Sequence, residues 1–204
     1  NRDEPEKRPR KRQQKVFSSY INEEYYHFQR VIRSFIGYEH MTVADVERTH
    51  RASLRLPLQY LTLLPHKCLE MRVAGLRAAA AANGAFLQRV VESQGSFGPP
   101  EGRAVDWYIQ RSPKPRALPR EADFSKVSST LHSCVRDWAD EGAAERAQCY
   151  GPLLDELVRL VPLDVRRRVL VPGAGLSRLV LEVAARGYGA QGNEFSYHML
   201  LTSN

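Results

Sequence analysis

What this 204-residue chain lacks narrows its class first. Its cysteines number three, Cys68, Cys134 and Cys149. An odd, widely spaced set fits neither a disulfide framework nor a zinc site, and reads as a protein of a reducing interior, cytosol and nucleus. No stretch reaches the roughly 18 unbroken apolar residues that span a bilayer, so no membrane partner is expected. Residues 1–15 are basic and polar, without the apolar run of a secretory signal. The six histidines are scattered, with no His-Glu-x-x-His pair and no partner at metal spacing. No metal is therefore expected, and His27 and His132 read as helix-surface or boundary residues. Beyond the N-terminus Lys and Arg are interleaved with Asp and Glu, and no basic stripe carries stacking aromatics. Nucleic acid is accordingly not an expected partner.

What is present is enough for a core. Hydrophobic residues make up 43% of the chain at a mean hydropathy of −0.45, which excludes a wholly disordered protein. The net charge of +7 is partly concentrated in Lys7, Arg8, Arg10, Lys11 and Arg12. Residues 1–18 read as a disordered basic tail. Such a run serves either as a solvated arm or as a nuclear-import or nucleic-acid contact.

Residues 19–93 read as a helical N-terminal region. Ser19 or Asn22 can open a helix along which Tyr25, Phe28, Val31 or Ile32, Phe35 and Ile36 recur at helical steps, closed by Gly37. Thr42 and Asp45 resemble a capping box opening a second helix. A third runs from about His66 through the alanine-rich stretch Ala78 to Ala82, with Asn83-Gly84 as a candidate interruption. A Pro/Gly-rich linker follows over 94–122. Asp123 or Ser125 then caps a helix bearing Val127, Leu131, Cys134, Val135 and Trp138, and Cys134 falls on its apolar face as a core cysteine. Gly142 breaks this helix. Another spans about Ala143 to Leu160, with Leu153, Leu154, Leu157 and Val158 facing inward.

The pattern changes at Arg168. Val169-Leu170-Val171 is the wholly apolar run of a strand buried on both faces of a parallel sheet. Pro172-Gly173-Ala174-Gly175 is a tight turn, a helix follows to a stop at Gly187, and a second strand over Tyr188 to Asn193 ends at Glu194. Strand, glycine turn, helix, strand and acid make the opening βαβ unit of a doubly wound fold. The fold class is thus α/β: an all-helical N-terminal region, then the first βαβ unit of a Rossmann-like fold within 123–204.

The chemistry follows from the residue types. Gly173 and Gly175 let the backbone turn and a ligand approach its amides. Glu194, 21 positions after Gly173, comes to the end of the neighbouring strand, where a carboxylate can accept ribose hydroxyls. A dinucleotide fingerprint wants Gly or Ala at its third position, which here is Arg178. The alternation Gly173, Gly175, Ser177 instead favours S-adenosylmethionine as cofactor over NAD. Asp137 and Asp140 flank Trp138, with no acid–base role that spacing alone assigns.

The residues Val135-Arg136-Asp137-Trp138, Gly142, Glu145-Arg146, Cys149-Tyr150 and Pro152, then Leu170 to Leu176 and Gln191-Gly192-Asn193-Glu194, closely resemble the carnosine N-methyltransferase family. Glu23-Glu24 and His27-Phe28 resemble that family's N-terminal helical region. The resemblance runs from about residue 22 to the end, and its last 75 or so residues are the specific part. It implies a class I methyltransferase that moves a methyl group from S-adenosylmethionine to the imidazole of carnosine, giving anserine, or to related histidine-containing dipeptides. It implies that Arg136 holds the cofactor's carboxylate, Gly173 lies against the cofactor and Glu194 binds its ribose. A surface salt bridge is the other reading of Arg136. Ser133 stands where the family has a glutamine in cofactor contact, and Ser177 where it has a glycine.

The family's adenine-contacting acid and carnosine-binding residues fall beyond Asn204, so no catalytic residue is expected within this chain. The fold is expected to be truncated, since two strands alone make a poor parallel sheet. The enzyme reading therefore stands beside two others: a truncated or inactive homologue acting as a binding fragment, and nucleic-acid binding through the basic arm. A homodimer is left open.

Overall fold

The computed structural model describes residues 9–61, 66–93, 118–163 and 167–203. Residues 1–8 of the basic tail and nearly all of the expected linker lie outside the described residues. Helix α1 spans Pro9–Ile36 and so begins inside the segment read as a disordered tail. Proline suits a first helical turn, where its missing N–H has no partner to lose, and the Arg, Lys and Gln that follow are good helix formers.

Gly37 alone separates α1 from α2 (Tyr38–Ser53). Thr42 and Asp45 therefore lie within α2 and cap nothing; Asp45 pairs with Arg48 one turn on. The short α3 (Leu58–Leu61) leads towards α4 (His66–Glu92), which runs unbroken through Asn83-Gly84. Gly84 serves packing here. A β-carbon there would lie 2.8 Å from the Glu39 Cβ, so only glycine admits this approach of α2 to α4.

Helix α5 (Glu121–Trp138) opens with the Asp123 carboxylate accepting the Arg120 backbone N–H at 2.8 Å. Asp123 thus caps from the third helical position, with Arg120 outside the helix. A 3-10 turn, Asp140–Gly142, leads into α6 (Ala143–Leu160). Strand β1 (Arg168–Pro172), helix α7 (Arg178–Ala185) and strand β2 (Gly189–Asn193) form a parallel βαβ unit, paired from Arg168 with Gly189 to Pro172 with Asn193. Helix α8 (Tyr197–Thr202) follows. Among the described residues the fold is α/β, mostly helical, with one two-stranded parallel sheet.

Two cores hold these parts. Val31, Ile32 and Phe35 of α1, Leu87 and Val91 of α4, Val127 of α5 and Leu201 of α8 form the first, each at most 2% exposed. At about 2 kcal/mol for each fully buried large side chain, this core docks α8 onto the N-terminal helices. Leu154 of α6 with Val183 and Tyr188 forms the second, beneath Val169, Leu179 and Ala190. Only part of the expected inward face of α6 is buried: Leu153 and Val158 are exposed. Leu170 is 56% exposed, so β1 is not covered on both faces among the described residues. Its one-sided cover is the layer made by α7 and α6.

Candidate functional site

The glycine turn is built from left-handed backbone. Gly173 and Gly175 have φ of +63° and +55°, and a β-carbon at either would meet nothing within 4 Å. These glycines are thus required by conformation, and they leave open space in front of the backbone. Ser177 also has a φ of +63°, a region in which an L side chain costs roughly 1–2 kcal/mol. The Ala174 N–H is held by the Asn193 carbonyl at 3.0 Å, which ties the turn to the end of β2.

Glu194 closes the site from the other side. Its Oε2 accepts the Gly175 N–H at 2.9 Å, and its Oε1 accepts those of Phe195 and Ser196 at 2.8 and 2.9 Å. Burial pushes the carboxyl pKa up, but the three N–H bonds outweigh it and hold the group below the usual carboxylate range. A carboxylate has about four acceptor positions, so Oε2 keeps a second one beyond the Gly175 N–H.

Close packing behind the turn comes from Gly192. A β-carbon there would lie 2.9 Å from the Ala174 Cβ and 3.0 Å from the Val180 Cγ2. Glycine on β2 thus supplies the close helix–strand approach that a dinucleotide fingerprint places at the position of Arg178. Arg178 itself pairs with Glu182 at 2.8 Å, reaches the Asp137 carbonyl at 3.3 Å and lies 5.2 Å from the Trp138 ring centre.

Arg178 and Trp138 join the end of α5 to the turn. The Trp138 indole N–H donates to the Leu176 carbonyl at 3.2 Å. Two residues earlier, Arg136 grips the Asp137 carboxylate with two bonds, Nε to Oδ1 at 2.8 Å and Nη2 to Oδ2 at 3.1 Å. This carboxylate side chain is 3% exposed, whereas that of Arg136 is 45% exposed. The Tyr150 hydroxyl donates to the same Asp137 Oδ1 at 3.0 Å. Burial and this bond push the Tyr150 pKa up, so the phenol keeps its proton.

The Arg146 guanidinium caps the end of α5, donating from Nη1 to the Arg136 and Ala139 carbonyls at 2.7 Å each. Gly142 fits beneath the same carbonyl: a β-carbon would lie 2.2 Å from the Arg136 O. The spaced residues Arg136, Asp137, Trp138, Gly142, Arg146 and Tyr150 therefore converge on one junction. Spacing singled out the aspartate without assigning it a role, and only the tertiary contact with Tyr150 reveals one.

Ser133 lies half-buried one turn before Arg136 on α5. A half-buried Cys134 and an exposed His132 line a cavity of about 920 Å³ with Tyr38, Phe86, Trp138 and Leu176. Burial pushes the Cys134 thiol pKa up, which makes it a weak nucleophile. Among the described residues no group of three His, Cys, Asp or Glu could hold a metal ion, and no helix is long and apolar enough to cross a membrane.

The sequence profile of the carnosine N-methyltransferase family matches residues 113–204. The chain is 34% identical over 183 residues to the carnosine N-methyltransferase of Mus musculus, covering 87% of this chain and 44% of that protein. Similarity is higher over a shorter stretch to the Schizosaccharomyces pombe carnosine N-methyltransferase, 52% over 85 residues, or 40% of this chain and 23% of that protein. The Drosophila melanogaster protein named carnosine N-methyltransferase unmet is 48% identical over 85 residues, 39% of this chain and 18% of that protein. The chain spans less than half the length of these curated relatives.

Proposed function

We propose that this chain, whose residues 113–204 belong to the carnosine N-methyltransferase family, contributes the cofactor-binding part of an S-adenosylmethionine-dependent N-methyltransferase. The open glycine turn latched by Glu194 is the observation that carries this reading.

The residues present fit the cofactor. Gly173 and Gly175 offer bare backbone to its body. The unused acceptor position on Glu194 Oε2 suits a ribose hydroxyl. Arg136 presents a charged edge to the amino-acid carboxylate, a pairing whose geometry favours arginine. Ser133 stands on the same helix one turn away, with a shorter reach than a glutamine. The cofactor, when bound, supplies an electrophilic methyl group. The chain's own residues bind and orient, and proximity accounts for the acceleration.

The acceptor is a histidine-containing dipeptide, carnosine, with anserine as product, and the site of action is the cytosol and nucleus. The test is methyl transfer from labelled S-adenosylmethionine to carnosine by the full-length natural protein. Labelled anserine is expected. Label on no histidine-containing dipeptide, with cofactor bound, would remove the substrate assignment.

A further inference from the structure

Arginine has two edges at which it can grip a carboxylate: the side formed by Nε and one Nη, and the end formed by both Nη atoms. In Arg136 the side edge is taken, with Nε and Nη2 on the two oxygens of Asp137. The end edge, Nη1 and the second Nη2 hydrogen, meets no acceptor among the described residues, and the side chain is 45% exposed. Asp137 cannot swing away with it. Its carboxylate is buried and also accepts the Tyr150 hydroxyl at 3.0 Å. Its carbonyl receives Arg178 at 3.3 Å, and the next residue, Trp138, is bound to Leu176 of the glycine turn at 3.2 Å. The guanidinium is thus oriented by a group that is itself fixed to the turn.

We propose that Asp137 and Tyr150 are positioning residues that hold Arg136 by its side edge, so that its end edge receives the carboxylate of the S-adenosylmethionine amino-acid moiety. This rests on the cofactor reading above. The free donors point to a planar carboxylate, which takes two parallel N–H bonds, and the side chain as a whole is 45% exposed. Holding the fork in advance lowers the ordering cost that a long, flexible side chain would otherwise incur on binding.

The test uses the full-length natural protein and two probes, S-adenosylhomocysteine and 5′-methylthioadenosine, which shares the adenosine portion but has no amino-acid carboxylate. Calorimetry compares wild type with Asp137→Asn and Tyr150→Phe, with folding checked by circular dichroism. The expected result is a roughly tenfold or greater loss of S-adenosylhomocysteine affinity in Asp137→Asn and a smaller loss in Tyr150→Phe. Affinity for 5′-methylthioadenosine should be unchanged in both. Equal weakening of both probes, or no change in either, would overturn the positioning role while leaving the cofactor reading intact. Wild-type protein that binds neither probe would overturn the cofactor reading and this inference with it. Tyr150→Phe keeps the test decisive if Asp137→Asn fails to fold, because it removes one hydroxyl and little volume.

Discussion

The Glu194 carboxylate accepts the Gly175 N–H at 2.9 Å, closing the acid at the end of β2 onto the glycine turn that follows β1. Two further N–H groups, from Phe195 and Ser196, bind its other oxygen. Glu194→Gln replaces one acceptor oxygen with an amide donor, which must face a backbone donor. A stability loss of about 1 kcal/mol is expected for this partly solvated group, measured by urea denaturation. A larger fractional loss of cofactor affinity should accompany it.

The same latch has a pH dependence with a definite sign. The folded carboxyl titrates below its ordinary range, so its contribution is present above the unfolded pKa and is lost as pH falls through the folded one. Stability below about pH 4.3 should therefore fall less steeply in Glu194→Gln than in wild type. Equal slopes would show that the three N–H bonds do not bias the proton.

His198 gives a second pH window. It is buried, 3.5 Å from the Ser34 hydroxyl, with its ring tilted against that of Phe35 at 5.6 Å. Burial, aided by Lys126 and His27 and opposed by Asp123, pushes its pKa down to about 4 from 6.5. Between those values the unfolded chain takes up a proton that the folded chain refuses, so stability falls as pH drops from 6.5 towards 4. Denaturation midpoints of His198→Gln should decline less across that window than those of wild type. Since α8 carries His198, the N-terminal helices should loosen from α8 first.

Ser177 occupies left-handed backbone at a φ of +63°. Ser177→Gly removes that strain and should raise stability by about 1 kcal/mol, read as a higher urea midpoint at unchanged slope. Gly142→Ala should do the reverse. Its new methyl would press on the Arg136 carbonyl, costing about 3 kcal/mol or more and disturbing the Arg136–Asp137 pair.

The βαβ unit was legible in the sequence because its signals are local. Glycines with positive φ at 173, 175 and 187 mark the turn and the helix stop whatever surrounds them. Expectations that depend on neighbours fared differently. Thr42 and Asp45 carry a capping pattern, yet α1 passes into α2 through Gly37 and leaves no helix start for them. Asn83-Gly84 suggests a break, yet Gly84 is a contact point for Glu39. Leu170 looks like a doubly covered strand residue, but it is exposed. Arg136 was legible as a clamp or as a salt bridge, and the geometry supplies the salt bridge while leaving an edge for the clamp. The roles of Asp137 and Tyr150 were illegible because they arise only where α6 crosses the end of α5.

The most direct test of the cofactor site is calorimetric titration of the full-length natural protein with S-adenosylhomocysteine and, separately, with NAD, in wild type and Glu194→Ala. The expected result is one S-adenosylhomocysteine bound per chain, weakened roughly tenfold or more by Glu194→Ala, with no heat from NAD. Preference for NAD, or S-adenosylhomocysteine binding that is indifferent to Glu194→Ala, would contradict the assignment of the glycine turn and Glu194 as the S-adenosylmethionine site.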